Sequence, residues 1–231
     1  MHRSRQMPMP SDVLALFDLD HTLMPHDSDE QWVAFLVEQG ALDPVRYDAA
    51  NRDLIARYNR GEAGTLEFTE FYLSTLMRFE DVELRSWLDK YLARKIRPRI
   101  RDSARSLVER HRAAGDRIVL TTAVIRFLAE PIAAEFGITD VIATEAERVG
   151  GRYTGRLTGV PNIRDGKFQR LVEWLAARDE RLSDFRECWF YADSVNDLPL
   201  FEHVSHPVAV NADPVLAAHA RHMGWPEMRV A

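Results

Sequence analysis

The sequence predicts an α/β protein: a doubly wound, mainly parallel sheet interrupted after its first strand by an all-helical insertion. Three features predict it. From Arg101 onward, short apolar runs that end in polar residues alternate with stretches of helical periodicity, and such alternation pairs strands in parallel through right-handed crossovers. The first apolar run, Val13-Leu-Ala-Leu-Phe17, has no polar position, as expected of a strand covered on both faces. Residues 27–95, between that run and the next, carry helical patterning only.

Taken in order, the strand Val13–Phe17 leads to a helix over Asp29–Glu38, opened by a capping box of Ser28 and Gln31 and ended at Gly40. Asp43-Pro44 opens a second helix with Val45, Ala49, Leu54, Ile55 and Tyr58 on one stripe, and Gly61 and Gly64 bracket the following turn. Thr65 starts a third helix and Asp81 a fourth, with Leu84, Trp87, Leu88 and Tyr91 at helical spacing. A helix over Asp102–Ala114 then precedes the strand Arg117–Leu120, and a helix over Phe127–Phe136 precedes the strand Asp140–Ala143. Arg148–Leu157 reads as a hairpin with a Gly-Gly turn. The helix Phe168–Ala177, the strand Glu187–Ala192, a short helix after Asn196, the strand Pro207–Val210 and the helix Pro214–His222 complete the chain. The division expected is a core of residues 1–26 and 96–231 and a helical cap of residues 27–95, with Pro25 and Pro98 at the crossings.

At 231 residues and 46% hydrophobic content the chain can bury a full core. A net charge of −6 spread along the chain argues against a dedicated nucleic-acid binder. The single cysteine, Cys188, excludes a disulfide framework and a cysteine zinc site, and its apolar neighbours imply a buried, inert thiol. The N-terminal Met1–Pro10 has no apolar core of a secretory signal, and no run is long enough to span a bilayer. A cytoplasmic protein, monomeric or homodimeric, without a membrane partner is the expectation.

The chemistry concentrates at predicted strand ends. Asp18-Leu-Asp20-His-Thr22 follows the first strand, at the edge where open parallel sheets bind ligands. Alternation puts Asp18 and Asp20 on one side and turns Leu19 into the core. Carboxylates held that close repel unless a cation lies between them or a proton is shared. The segment fits a divalent-metal site with a nucleophilic carboxylate, and equally a pair of solvated turn residues, one of them a helix cap. Thr121-Thr122 ends the second strand, Gly166-Lys167 opens a helix beside Asp165, and Asp193-Ser-Val-Asn196-Asp197 follows the strand Glu187–Ala192. Each alone has a plain structural role as turn residue, solvated charge or cap. Their order and placement carry the functional reading. His21 and His26 lie nearby, but no two histidines have metal-ligand spacing.

This order resembles the haloacid dehalogenase-like hydrolase superfamily over nearly the whole chain. Asp18-Leu-Asp20-His-Thr22 matches its first motif, Thr121 its second, Lys167 its third and Asp193-Ser-Val-Asn196-Asp197 its fourth. The helical insertion resembles the type-one cap of the phosphoserine-phosphatase-like subgroup. The resemblance implies a Mg²⁺-dependent phosphatase that hydrolyses a small phosphate monoester through an aspartyl phosphate on Asp18. It implies Asp20 as general acid and base, and Mg²⁺ held by Asp18, Asp193 and the carbonyl of Asp20, with Asp197 on metal-bound waters. Thr121, with Thr122 beside it, and Lys167 would meet the phosphoryl oxygens. Lys167 would also clamp Asp18, and Asn196 would orient Lys167 or the phosphate. The carboxylate at Asp20 disfavours carbon–halogen cleavage. A phosphotransferase and a non-catalytic phosphate-binding module are the alternatives.

Substrate choice in such enzymes resides in the cap. Asp27 falls where phosphoserine phosphatases place a carboxylate for the substrate's amino group. Beside Ser28 it reads equally as a helix N-terminal acid, worth about 0.3–1 kcal/mol. Between Phe68 and Arg78 there is no clean counterpart of the arginine that pairs with the substrate carboxylate, which counts against phosphoserine. Amino-alcohol phosphates of the histidinol phosphate kind, choline-type phosphates and lipid phosphates stay open. The basic run Arg94–Arg101 reads as an anion-steering patch or a solvated helix end.

Overall fold

A computed structural model describes residues 12–60, 62 and 64–230. The N-terminal stretch Met1–Pro10, read above as lacking a signal, and Gly61 of the expected turn lie outside the described residues. Strand β1 (Val13–Phe17) is followed by four helices, α1 (Ser28–Glu38), α2 (Pro44–Asn59), α3 (Thr65–Leu76) and α4 (Asp81–Tyr91). A π-helical turn over Leu92–Ile96 and a 3₁₀ turn over Arg97–Arg99 lead into α5 (Asp102–Ala114), β2 (Arg117–Ile125), α6 (Arg126–Glu135), β3 (Asp140–Val149) and β4 (Arg152–Thr158). Then come α7 (Asp165–Ala176), β5 (Glu187–Ala192), the short α8 (Leu198–Phe201), β6 (His206–Val210), α9 (Pro214–Met223) and β7 (Glu227–Met228).

The strands form one seven-stranded sheet in the order β4-β3-β2-β1-β5-β6-β7, parallel except for the antiparallel pair β3–β4. From β1 the chain winds outward through β2 and β3, then returns to add β5 and β6 on the other side. The direction reverses between β1 and β5, and at such a switch point the crossovers leave in opposite directions and open a crevice beyond the strand ends. Asp18 and Asp193, directly after β1 and β5, stand at that crevice.

Burial follows the pleat. Leu14 and Leu16 of β1 pack with Leu171, Leu175 and Phe190 on one face, and Ala15 and Phe17 pack with Leu107, Val108 and Leu128 on the other. Three elements depart from the expectations. Strand β3 runs unbroken into the hairpin rather than stopping at Ala143, and turns at Gly150 and Gly151 with φ of +59° and +84°, left-handed values that glycine adopts at the least cost. Strand β2 continues to Ile125, its register against β3 shifting between Thr121 and Ile125. The two-residue β7 has too little pattern to be read and is held by parallel pairing with β6.

Most of the insertion's aromatics form its own core. Trp32, Phe35, Tyr72 and Tyr91 are fully buried; Tyr91 Oη donates to the carbonyl of Ser28 at 2.8 Å and Trp32 Nε1 to Thr75 Oγ1 at 3.3 Å. Trp32 also meets Phe127 of α6 edge-on at 5.7 Å between centroids. The basic run is spent locally: Lys95 pairs with Glu38 at 2.6 Å, Arg97 with Glu135 at 2.9 Å, and Arg101 donates to the Val230 carbonyl. The solvated helix end, not a steering patch, fits these contacts. Cys188 is buried, and burial pushes its thiol up to about 12. No described helix is long and apolar enough to cross a membrane.

Candidate active site

One cavity of about 480 Å³ opens at the switch point, lined by residues of all the strand ends singled out above and by α1, α2 and α3. Asp18, 6% exposed, leaves β1 with its N–H still bonded to the Tyr191 carbonyl at 2.9 Å, which ties its position to β5. The tight turn that follows, with the N–H groups of Leu23 and Met24 both on the Leu19 carbonyl, returns the chain toward α1. The Thr22 hydroxyl lies 3.3 Å from Asp18 Oδ2 and 3.5 Å from Asp193 Oδ1, between the two carboxylates.

Lys167 is the cation of the site. Its side chain is 2% exposed, and Nζ donates to Asp18 Oδ1 at 2.9 Å and to Asp197 Oδ1 at 2.7 Å. Burial opposes the ammonium charge, but Asp18 and Asp197 together outweigh it and raise its pKa. Gly166 lets α7 start here: a Cβ on it would stand 2.2 Å from the Pro161 carbonyl oxygen. Asn162, fully buried, fastens the same loop, donating through Nδ2 to Thr121 Oγ1 at 3.0 Å and to the carbonyls of Thr122 and Ile142. Asp213 holds the other loop, accepting from the Val195 N–H at 2.7 Å.

The carboxylates are differentiated. Burial first, then the charge of Asp27, pushes Asp20 well above the usual carboxylate range, against the hydrogen bond that Ser28 Oγ donates to its Oδ1 at 2.5 Å. A carboxyl whose proton burial holds more tightly is suited to give that proton to a departing oxygen. Asp193 is pushed up to about 8 by burial and by Asp18 and Asp197, and Asp197 to about 6 chiefly by burial. Among the described residues no three His, Cys, Asp or Glu side chains already converge as a metal cage. The donor chemistry nevertheless fits Mg²⁺. Asp18 and Asp193 offer oxygen only, the Asp20 carbonyl can add a third oxygen, and such an all-oxygen donor set is what Mg²⁺ takes.

Several expectations need correction. Thr121 is fully buried and bonded to Asn162, outside the cavity lining; Thr122, its neighbour on the opposite face of β2, lines the cavity. Asn196 lines the cavity but accepts from Arg164 Nε at 3.2 Å, and Lys167 is oriented by Asp197 instead. Asp197, expected on metal-bound waters, is thus engaged by the ammonium. Helix α1 is capped by Asp27, whose Oδ1 accepts from the Glu30 N–H at 2.7 Å, so the Ser28–Gln31 box does not form and Ser28 is free to reach Asp20. Asp27 also lines the cavity, so its cap role and its place at the site coexist. Arg78 lies over the Tyr47 ring, 5.7 Å from its centroid, and is absent from the lining. Sequence reasoning read Ser28 only as a helix cap and passed over Asp29, Asn162 and Asp213; of these three only Asp29, the fourth acid after β1, carried any signal.

The haloacid dehalogenase-like hydrolase profile matches residues 15–202. The chain belongs to that family. It is similar to a histidinol-phosphatase of Neisseria meningitidis serogroup C (strain 8013), 40% identical over 92% of this chain and 96% of that protein. Phosphoserine phosphatase SerB1 of Mycobacterium tuberculosis (strain ATCC 25618 / H37Rv) is 31% identical over 96% of this chain and 72% of its own length. Among solved structures, a protein of unknown function from Bordetella pertussis Tohama I superposes with a TM-score of 0.92 at 45% identity, covering 94% of this chain and 98% of that one.

Proposed function

We propose that this phosphoric monoester hydrolase cleaves a small amino-alcohol phosphate of the histidinol phosphate type, through a phosphoryl group carried briefly on Asp18. The observation that supports it most is the buried Asp18–Lys167–Asp197 constellation in one cavity with Asp20, whose carboxyl burial holds above the usual range. Lys167 holds Asp18 Oδ1, which leaves Oδ2 to attack phosphorus. The ester P–O bond breaks opposite the incoming oxygen, and Asp20 gives its proton to the leaving alkoxide. Asp20, now ionised, takes a proton from water as that water attacks the phosphoaspartate, which frees inorganic phosphate and restores Asp18. Lys167 and Thr122, both in the cavity lining, would meet the equatorial oxygens. Mg²⁺, held by Asp18, Asp193 and the Asp20 carbonyl, would offset the charge between an anionic nucleophile and an anionic ester.

Similarity along nearly all of the meningococcal histidinol-phosphatase supports an amino alcohol, as does the absence of Arg78 from the cavity lining. Phosphate release from L-histidinol phosphate and from phosphoserine, with Mg²⁺ and with EDTA, tests it. Histidinol phosphate is expected to be preferred and Mg²⁺ required, and Asp18→Asn to abolish release with circular dichroism unchanged. Retained release in Asp18→Asn would overturn the covalent route.

A further inference from the structure

The insertion's side of the cavity is built from Asp27, Asp29 and Glu30 at the start of α1, with Ile55 of α2 and Phe68 of α3. Acidic side chains dominate the cavity. Seven acidic side chains line the cavity against a single ammonium, and Lys167 is already shared between Asp18 and Asp197. Asp27 has work to do as the helix cap, and Glu30 is only partly buried. Asp29 has no such occupation. It is 8% exposed, and its Oδ1 is shielded from solvent without a hydrogen-bond partner.

The helix dipole explains acids in an exposed first turn. It does not explain one withdrawn from water with an oxygen left bare, because an unpaired buried polar group costs more than the dipole returns. Such a group calls for a partner, and at the wall of a cavity a ligand can bring one. We propose that Asp29 is the recognition group for a primary ammonium on the substrate, with Asp27 and Glu30 supplying a negative field and Ile55 and Phe68 flanking the carbon skeleton. The inference rests on the phosphatase reading above and narrows its substrate in two ways. An N–H must reach the Asp29 carboxylate, so a quaternary ammonium, which has none, is a poor fit. A carboxylate beside the amine would meet acids on this side with no arginine among the described lining residues to pair it, which favours an amino alcohol over an amino acid.

The test compares L-histidinol phosphate, its desamino analogue and its N,N,N-trimethyl analogue with the Mg²⁺-supplied enzyme and with Asp29→Asn. In the wild type, losing or trimethylating the amine is expected to lower kcat/KM by about tenfold to a hundredfold, mainly through KM. In Asp29→Asn the three esters should fall within about threefold of one another. Tm of the ligand-free variant should be unchanged or raised, whereas a purely structural Asp29 would lower it. Equal use of the amine and trimethyl esters by the wild type overturns the proposal and needs no variant; so does a variant that keeps the wild-type ratio. Failure of the phosphatase reading shows itself differently, as no Asp18-dependent phosphate release from any ester, and takes the proposal with it.

Discussion

Lys167 Nζ lies 2.9 Å from Asp18 Oδ1 and 2.7 Å from Asp197 Oδ1, and all three side chains are withdrawn from water. Removing the ammonium would leave two carboxylates buried without their counter-charge, the situation in which breaking an ion pair costs most. Lys167→Met is therefore expected to lose about 3–5 kcal/mol of stability in urea unfolding and about 10²–10³-fold in kcat. Asp197→Asn keeps the ammonium and one charged partner, so its stability loss should be smaller. Lys167→Met as stable as wild type would show that the ion pair does not hold this end of the fold.

Thr121 and Thr122 separate cleanly because neighbours on a strand point to opposite faces. Thr122 lines the cavity, and its hydroxyl accepts from the Val124 N–H at 3.2 Å; the Thr121 hydroxyl accepts from Asn162. Thr122→Val should lower kcat/KM by about 10²-fold with little change in Tm. Thr121→Val should cost about 1–3 kcal/mol of stability, since a buried donor of Asn162 loses an acceptor. Steady-state phosphate release and thermal unfolding of the two variants decide it, and a larger activity loss at Thr121 would reverse the assignment.

That pair also marks how far the sequence could be read. The strand ends were legible because apolar runs and polar tips follow from burial on both faces, so Asp18, Asp20, Lys167 and Asp193 are found in one cavity as expected. The face on which each threonine lies was not legible, because the register of β2 shifts between Thr121 and Ile125 and no local pattern encodes that irregularity. Ser28 was hidden for a related reason. Ser and Asp are comparable caps, and only the path of the chain through the His21 turn decides that Asp27 caps α1 and Ser28 turns to Asp20. Asn162 and Asp213 act on partners far away in sequence, at Thr121 and Val195, which a reading of neighbouring positions does not connect.

Asn162 joins the middle of β2 and the first half of β3 to the loop that delivers Lys167. Its backbone N–H donates to Thr144 Oγ1 at 3.1 Å while Nδ2 reaches Thr121, Thr122 and Ile142. Asn162→Ala removes those side-chain bonds and leaves two carbonyls under-satisfied. An expected loss of about 1–3 kcal/mol in stability should come with a fall in kcat larger than any rise in KM, because the reacting groups shift while helices α1 to α4 are untouched. A wild-type kcat in a destabilised Asn162→Ala would confine the residue to folding.

His26, at the crossing into the insertion, is held neutral: burial, then Arg99, brings its pKa down from the ordinary 6.5 to about 4. The unfolded chain therefore takes up a proton below about pH 6.5 that the folded protein refuses until about pH 4. Stability from this group is fully present above pH 6.5, falls as the pH drops through that window, and stops falling below about pH 4. Replacing the ring with a non-ionising one of similar size, His26→Phe, should flatten the dependence of unfolding free energy on pH by at most about one bound proton in that window. Urea titrations from pH 4 to 7 on both proteins measure it. Parallel curves would mean that His26 titrates alike in the folded and unfolded chain, and that the crossing is open to water.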